Sequence, residues 1–225
     1  MTSPEPSAVV FDIDGTLVDS NYLHVDAWTR AFFAAGHPVD VWRLHRRIGM
    51  GSSQLVAELL GDDADALGQL VEKGHGEEYA RRGDELRPFD GAADLVRAVA
   101  GRGAKAVLAT SAVPEELERL RAVLRIDDAV AEIVSAQDVE AAKPQPDLVQ
   151  VALRRAGVPA SRALFVGDSV WDVEAAGRAG VGCVGVLTGG FGAAELSDAG
   201  AIAVYDDCAA LLGELDASPI GALLR

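Results

Sequence analysis

Short apolar runs that alternate with helical patterns are the feature of this sequence that most limits its fold. Runs rich in Val, Ala, Leu and Ile occur at 8–13, 105–109, 132–135, 163–166 and 181–186, with a further one at 201–205. The segments between them carry apolar residues at helical spacing, such as Leu117, Leu120 and Leu124. Strands that alternate with helices form a parallel sheet covered on both faces. The sequence therefore predicts an α/β protein with a Rossmann-like parallel sheet core.

One stretch, from about 21 to 87, interrupts this alternation because it contains no convincing strand. Val25, Trp28 and Phe32 recur there at helical spacing. A segment of this length is far too long for a plain loop and is long enough for a small helical domain. We therefore expect a core domain formed by 1–20 and 88–225, with an α-helical cap domain at 21–87 inserted after the first strand.

Two carboxylates, Asp12 and Asp14, stand at the end of the first apolar run and are followed by Gly15. Ligands bind at the carboxyl ends of the strands in a parallel sheet. One carboxylate of such a pair could attack phosphorus and form an acyl phosphate, which splits a hydrolysis into two easier steps. The other could protonate the leaving oxygen and then take a proton from water. An Asp-Gly turn with a helix cap is the ordinary structural alternative.

Three further polar positions follow or lie near other predicted strands. Asp168 could complete an oxygen-only Mg²⁺ site together with Asp12. A hydroxyl of Thr110 or Ser111 could bind a phosphate oxygen, and Lys143 could neutralise the nucleophile and a phosphoryl group. Taken singly, Asp168 also suits a helix cap and Thr110 and Ser111 suit a turn. Lys143 alone also suits a solvated surface lysine. Their common position after separate strands is what indicates one site.

Together these pieces resemble the haloacid dehalogenase-like superfamily over nearly the whole chain. The motif Asp-x-Asp-Gly-Thr-Leu matches 12–17, the hydroxyl motif matches Thr110, and the lysine motif matches Lys143. The longer run Gly-Asp-Ser-x-x-Asp-x-x-Ala-Ala-x-x-Ala-Gly at 167–180 is highly specific. The chain resembles most the branch of phosphoglycolate phosphatase-like and β-phosphoglucomutase-like proteins with a helical cap.

The resemblance implies a role for each core residue. Asp12 would be the nucleophile and a metal ligand, and Asp14 the general acid and base that also gives the metal a backbone carbonyl. Asp168 would be the third protein ligand of Mg²⁺, and Asp172 would hold Lys143 or a metal-bound water. Further expected contacts of phosphate or substrate are Gly15, Thr16, Thr110, Ser111, His24 and Arg47.

The cap residues His24, Arg46 and Arg47 have alternatives that the sequence leaves open. In the resembling branch a histidine often stands at the position of His24, where it could assist proton transfer or bind a substrate hydroxyl. A histidine on the surface of a helix is an equally ordinary interpretation. One of the two arginines could reach an anionic substrate group, because arginine binds carboxylate or phosphate with two parallel hydrogen bonds. A solvated pair is the alternative.

The function that these residues indicate is magnesium-dependent hydrolysis of a phosphate monoester. The expected substrate is a small phosphorylated metabolite, either phosphoglycolate or a sugar phosphate. A phosphosugar mutase would use the same Asp12 and Asp14, and a non-catalytic binding protein on the same fold is a third possibility. Dehalogenase activity is disfavoured, because the true dehalogenases of the superfamily lack the acid that Asp14 supplies.

Charge and hydropathy bear on partners and location. The chain has 35 acidic against 20 basic residues and a formal net charge of −15. Such a surface repels nucleic acid and anionic lipid, so neither is an expected partner. No apolar run is long enough to span a membrane, and MTSPEP does not resemble the start of a signal peptide. We therefore expect a cytoplasmic monomer or homodimer.

Overall fold

The computed structural model describes residues 6–225. The first five residues, which carry most of the expectation that no signal peptide is present, lie outside the described residues. Within 6–225, none of the helices is both long enough and apolar enough to cross a membrane.

Within residues 6–225, six parallel strands form one sheet, as the sequence predicts. They are β1 (Ala8–Phe11), β2 (Lys105–Ala109), β3 (Val130–Val134), β4 (Ala163–Gly167), β5 (Gly182–Val186) and β6 (Ala203–Tyr205). Their order across the sheet is β3-β2-β1-β4-β5-β6, and every neighbouring pair is parallel. The predicted runs coincide with these strands to within one or two residues at each end.

Helices connect the strands and cover both faces of the sheet. Their bounds are α1 (Asn21–Ala34), α2 (Val41–His45), α3 (Ser52–Leu60), α4 (Ala64–Ala80), α5 (Ala92–Gly101), α6 (Pro114–Leu124), α7 (Asp147–Ala156), α8 (Val170–Arg178), α9 (Ala193–Ala199), α10 (Cys208–Gly213) and α11 (Pro219–Leu223). Alternate residues of β1 point to opposite faces: Val9 and Phe11 belong to one buried apolar cluster, and Ala8 and Val10 to the other. The α/β fold with a Rossmann-like sheet is therefore confirmed.

The segment between β1 and β2 contains only helices among its regular elements. Helices α1 to α4 bury a third apolar cluster of their own, which includes Val25, Trp28 and Phe32. This cluster explains why the helical spacing in the sequence continues without a strand. The division into a core (1–20 and 88–225) and a cap (21–87) stays a prediction.

The strand order places a crevice between β1 and β4. The chain runs from β1 outwards to β2 and β3, then returns to β4 on the other side of β1 and continues outwards. Ligands of open α/β sheets bind at such a reversal, outside the carboxyl ends of the strands. Asp12 directly follows β1 and Asp168 directly follows β4, so both lie at this crevice.

Candidate active site

Lys143 joins two buried carboxylates in the crevice. Its ammonium Nζ lies 2.7 Å from Asp12 Oδ1 and 2.7 Å from Asp172 Oδ1, and its side chain is 1% exposed. Asp172 is further fixed because its Oδ2 accepts hydrogen bonds from the backbone N–H and the hydroxyl of Ser169. The carboxylates raise the pKa of Lys143 above its usual value despite burial, so the side chain stays charged.

Asp168 is held by side chains from the other side of the crevice. Its Oδ1 accepts a hydrogen bond from Thr16 Oγ1 at 2.6 Å, and its Oδ2 accepts one from Asn21 Nδ2 at 2.9 Å. Thr16 therefore contacts an acid of the site. Gly15 has a φ of +76°, and a Cβ there would lie 2.5 Å from Asp168 Oδ2. Only glycine fits this turn, because it tolerates both the positive φ and the close approach.

Asp12, Asp168 and Asp172 form a buried cluster that can hold a cation. One carboxylate oxygen from each lies within 4.8 Å of the others. Burial and the charge of Asp172 raise the pKa of Asp168 to about 7, and burial raises that of Asp12 well above its usual range. One lysine does not balance three acids, and a donor set made only of oxygen suits Mg²⁺. The residues present therefore fit a divalent cation, with Asp172 already occupied by Lys143.

Asp14 faces away from this cluster. Its Oδ1 accepts a hydrogen bond from Ser20 Oγ at 2.7 Å and lies 3.4 Å from His24 Nε2, while Thr110 Oγ1 lies 3.3 Å from Oδ2. Burial alone would raise the pKa of Asp14, but the hydrogen bond and charge of His24 reverse this and hold it below its usual value. The same contact raises the pKa of His24 in spite of burial. The contact therefore favours the ionised carboxylate of Asp14 and the protonated ring of His24.

His24 is held in place by a stack of aromatic rings. Its ring lies 3.9 Å from that of Tyr79, and its Nδ1 lies 2.9 Å from Nε2 of His75. His75 stacks in turn on Trp28, with ring centroids 3.9 Å apart. Burial lowers the pKa of His75 well below its usual value, so this ring is neutral and can accept a hydrogen bond from His24. His75 was not predicted as a site residue, because no motif in the sequence links it to His24.

A cavity of about 60 Å³ opens onto these groups. Asp12, Asp14, Lys143, Thr110 and Ser111 line one side of it. The opposite side comes from the helical segment, and its lining residues include His24, Trp28, Met50, Ser52 and His75. The structure thus brings predicted residues that follow β1, β2 and β3 together at one cavity, which the helices after β1 also line.

A larger adjoining cavity of about 530 Å³ shares part of this lining. The residues common to both are Ser52, His75, Ser111, Glu116 and Lys143. Glu116 was not predicted as a site residue. Its only sequence signal is its position in the first turn of the helix that follows Thr110 and Ser111, where an acidic residue is also ordinary.

The structure does not bring the two predicted arginines to the cavities. Arg47 Nε donates to Glu58 Oε2 at 3.0 Å, and Arg47 Nη1 donates to the carbonyl of Arg43. Arg46 pairs with Glu195 at 2.5 Å and lies over the ring of Phe191. Both guanidinium groups therefore have partners elsewhere on the surface.

Known proteins resemble this chain in sequence and in structure. A sequence model of haloacid dehalogenase-like hydrolases matches residues 6–180. A phosphoglycolate phosphatase of Rhodospirillum rubrum is 32% identical over 218 residues, and the match covers 92% of this chain and 89% of that protein. A hydrolase from Pseudomonas syringae matches with a TM-score of 0.89 and 34% identity, covering 94% and 98% of the two chains. CbbY from Rhodobacter sphaeroides in complex with phosphate matches with a TM-score of 0.76 and 29% identity, covering 94% and 99%.

Proposed function

The chain belongs to the haloacid dehalogenase-like hydrolases, and from this premise we propose that it is a magnesium-dependent phosphatase of small phosphorylated metabolites. In this proposal Asp12 carries the phosphoryl group during the reaction. The observation that supports it most is the ammonium of Lys143 between Asp12 and Asp172, beside the carboxylate of Asp168. Residues from three segments, which follow β1, β3 and β4, thereby meet at one buried point.

Asp12 is the nucleophile of this proposal because it is a buried carboxylate at the end of β1 that lines the cavity. Its oxygen attacks phosphorus, the ester bond breaks, and an acyl phosphate forms. Lys143 orients Asp12 and neutralises charge on the phosphoryl oxygens. The hydroxyls of Thr110 and Ser111 on the cavity wall bind those oxygens.

Asp14 and His24 supply the proton for the leaving oxygen. The contact with Asp14 raises the pKa of His24 and so favours a proton on Nε2, which lies 3.4 Å from Asp14 Oδ1. Asp14 passes this proton to the leaving group and then accepts one from the water that attacks the acyl phosphate. The neutral ring of His75 fixes His24 for both steps.

Mg²⁺ would be held by the carboxylates of Asp12 and Asp168 and by the backbone carbonyl of Asp14. When bound, the cation keeps the two acids ionised and withdraws charge from the phosphoryl group. Thr16, Asn21 and the Gly15 turn hold Asp168 in place for this purpose.

Metal-dependent release of phosphate tests the proposal. The protein should liberate phosphate from p-nitrophenyl phosphate and from at least one member of a panel of small phosphate esters. A chelator should lower the rate to background and Mg²⁺ should restore it, because the cation would supply the positive charge that favours an ionised Asp12 and withdraws charge from the phosphoryl group. Full activity in chelator would contradict the metal site. Conversion of β-glucose 1-phosphate into glucose 6-phosphate without phosphate release would indicate a mutase instead.

Thermal unfolding measures metal binding without turnover. At a hundredfold excess over Kd, Mg²⁺ should stabilise the protein by about 2.7 kcal/mol, which for a chain of this size raises Tm by roughly 5–10 °C. Asp168→Asn should lose both this rise and the activity. Asp127→Asn removes an equal charge from an exposed residue paired with Arg121, and this variant should keep both the rise in Tm with Mg²⁺ and the activity.

A further inference from the structure

Glu116 is a buried acid that faces the space where a leaving group would lie. It belongs to the first turn of α6, is 9% exposed, and lines both the cavity at Asp12 and the larger one beside it. Burial raises the pKa of its carboxyl group, an effect that the charge of His24 partly offsets. In its ionised form the carboxylate repels a second negative charge placed in either cavity.

The walls of the larger cavity carry no cation that is free to bind an anionic leaving group. Among the described residues that line it, the basic side chains are Lys143 and His75. Lys143 is held between Asp12 and Asp172, and His75 is neutral. The acids Glu72 and Glu140 line the same space.

The same walls suit hydroxyl groups. Ser52, Ser111 and Gln145 line the cavity together with Glu116, and their hydroxyl, amide and carboxyl groups can donate or accept hydrogen bonds. A volume of about 530 Å³ lies within the range of pockets that hold small organic ligands. An uncharged polyol or sugar therefore matches both the size and the polarity of the space.

We propose that Glu116 selects the substrate, so that the enzyme prefers phosphate esters of uncharged, hydroxylated molecules and discriminates against esters whose leaving group carries a carboxylate. This inference rests on the proposed phosphatase function. It separates the chain in specificity from its relatives named for phosphoglycolate, because the carboxylate of that substrate lies next to its ester. In this site that carboxylate would face Glu116, while His24, a basic side chain that lines the smaller cavity, is already paired with Asp14 Oδ1 at 3.4 Å. Like charges brought together disfavour binding.

Two matched pairs of substrates test the inference. In each pair the two esters differ at one carbon: 2-hydroxyethyl phosphate against 2-phosphoglycolate, and the open-chain glucitol 6-phosphate against 6-phosphogluconate. The wild-type protein should show a kcat/KM at least about tenfold higher for an uncharged member than for its carboxylate partner. Glu116→Gln should lower the ratio of the two kcat/KM values roughly tenfold, because it raises kcat/KM for the carboxylate substrate. Glu115→Gln, which changes an exposed neighbour in the same helical turn, should leave the ratio unchanged.

The possible outcomes separate this inference from the proposed function. Equal or better turnover of the carboxylate members by the wild-type protein would overturn the inference and leave the phosphatase intact. A ratio that Glu116→Gln does not move would also overturn it, as would hydrolysis of p-nitrophenyl phosphate with refusal of both uncharged esters. Failure to release phosphate from any of these esters, with Mg²⁺ present, would instead reject the phosphatase. The wild-type ratio keeps the inference falsifiable even if Glu116→Gln folds poorly, because equal turnover of the two members of a pair contradicts it without the variant.

Discussion

Asp12→Asn is expected to lower phosphate release by about four orders of magnitude or more while the protein stays folded. The amide keeps the shape of the carboxylate but cannot form the acyl phosphate, so the covalent route is closed. Removal of one charge from the buried cluster also relieves repulsion. Burial raises the pKa of Asp12, so its ionised form destabilises the metal-free fold as the pH rises towards neutral. Steady-state kinetics and thermal unfolding measure the two effects.

Two controls make this result decisive. The variant should retain the circular dichroism of the wild type and melt without metal at a similar or higher temperature. Mass spectrometry should exclude deamidation of the new Asn back to Asp. Turnover near the wild-type rate in protein shown to carry Asn would refute Asp12 as the nucleophile.

Lys143→Met is expected to damage both activity and stability. Loss of the ammonium should lower kcat roughly 10²- to 10³-fold, because a preorganised charge beside the phosphoryl group is removed. The free energy of unfolding should fall by about 3–5 kcal/mol, because buried acids lose their counter-ion. Met has a similar length and apolar stem, so packing changes little.

The pH dependence of this loss identifies its cause. Without Lys143 the pKa of Asp12 rises further, because the positive charge and the hydrogen bond of Lys143, which both lower it, are gone. When the pKa of Asp12 is higher in the folded than in the unfolded protein, it stabilises the fold in acid, and this stability is lost as the pH rises. The free energy of unfolding of Lys143→Met should therefore lie little below that of the wild type near about pH 4 and far below it near about pH 7. Urea unfolding at the two pH values measures it, with the exposed Lys73→Met as the matched control. A deficit independent of pH would mean that packing, not charge, holds Lys143.

The fold was predictable because it depends on local patterns. Each strand is a short apolar run, and each connection shows helical spacing, so both periods can be read directly along the chain. The ends of the strands were less certain. The predicted run at 132–135 starts two residues after β3 begins, because Ala131 is exposed and interrupts the apolar run there. The same logic indicated that Asp12, Asp168 and Thr110 would meet, since the carboxyl ends of parallel strands share one edge.

The side of the cavity that the helices α1 to α4 form was less predictable, because it depends on contacts between distant elements. His24 meets His75 across 51 residues, and only the packing of α1 on α4 brings them together. Arg47 looked suited to an anionic substrate, but its partner Glu58 lies on the adjacent α3. Glu116 has no motif around it, and its importance follows only from the cavities that it lines.

A trapped phosphoryl group on Asp12 is the most direct test of the proposed covalent chemistry. In Asp14→Asn, p-nitrophenyl phosphate should still phosphorylate the protein, because nitrophenolate leaves without a proton donor, whereas hydrolysis of the acyl phosphate should stall without its base. We predict a burst of about one nitrophenol per protein, with the phosphoryl group located on Asp12 after acid quenching, borohydride reduction of the aspartyl phosphate to homoserine, and peptide mass spectrometry. No burst and no modification at Asp12, or a phosphoryl group on another residue, would contradict the account.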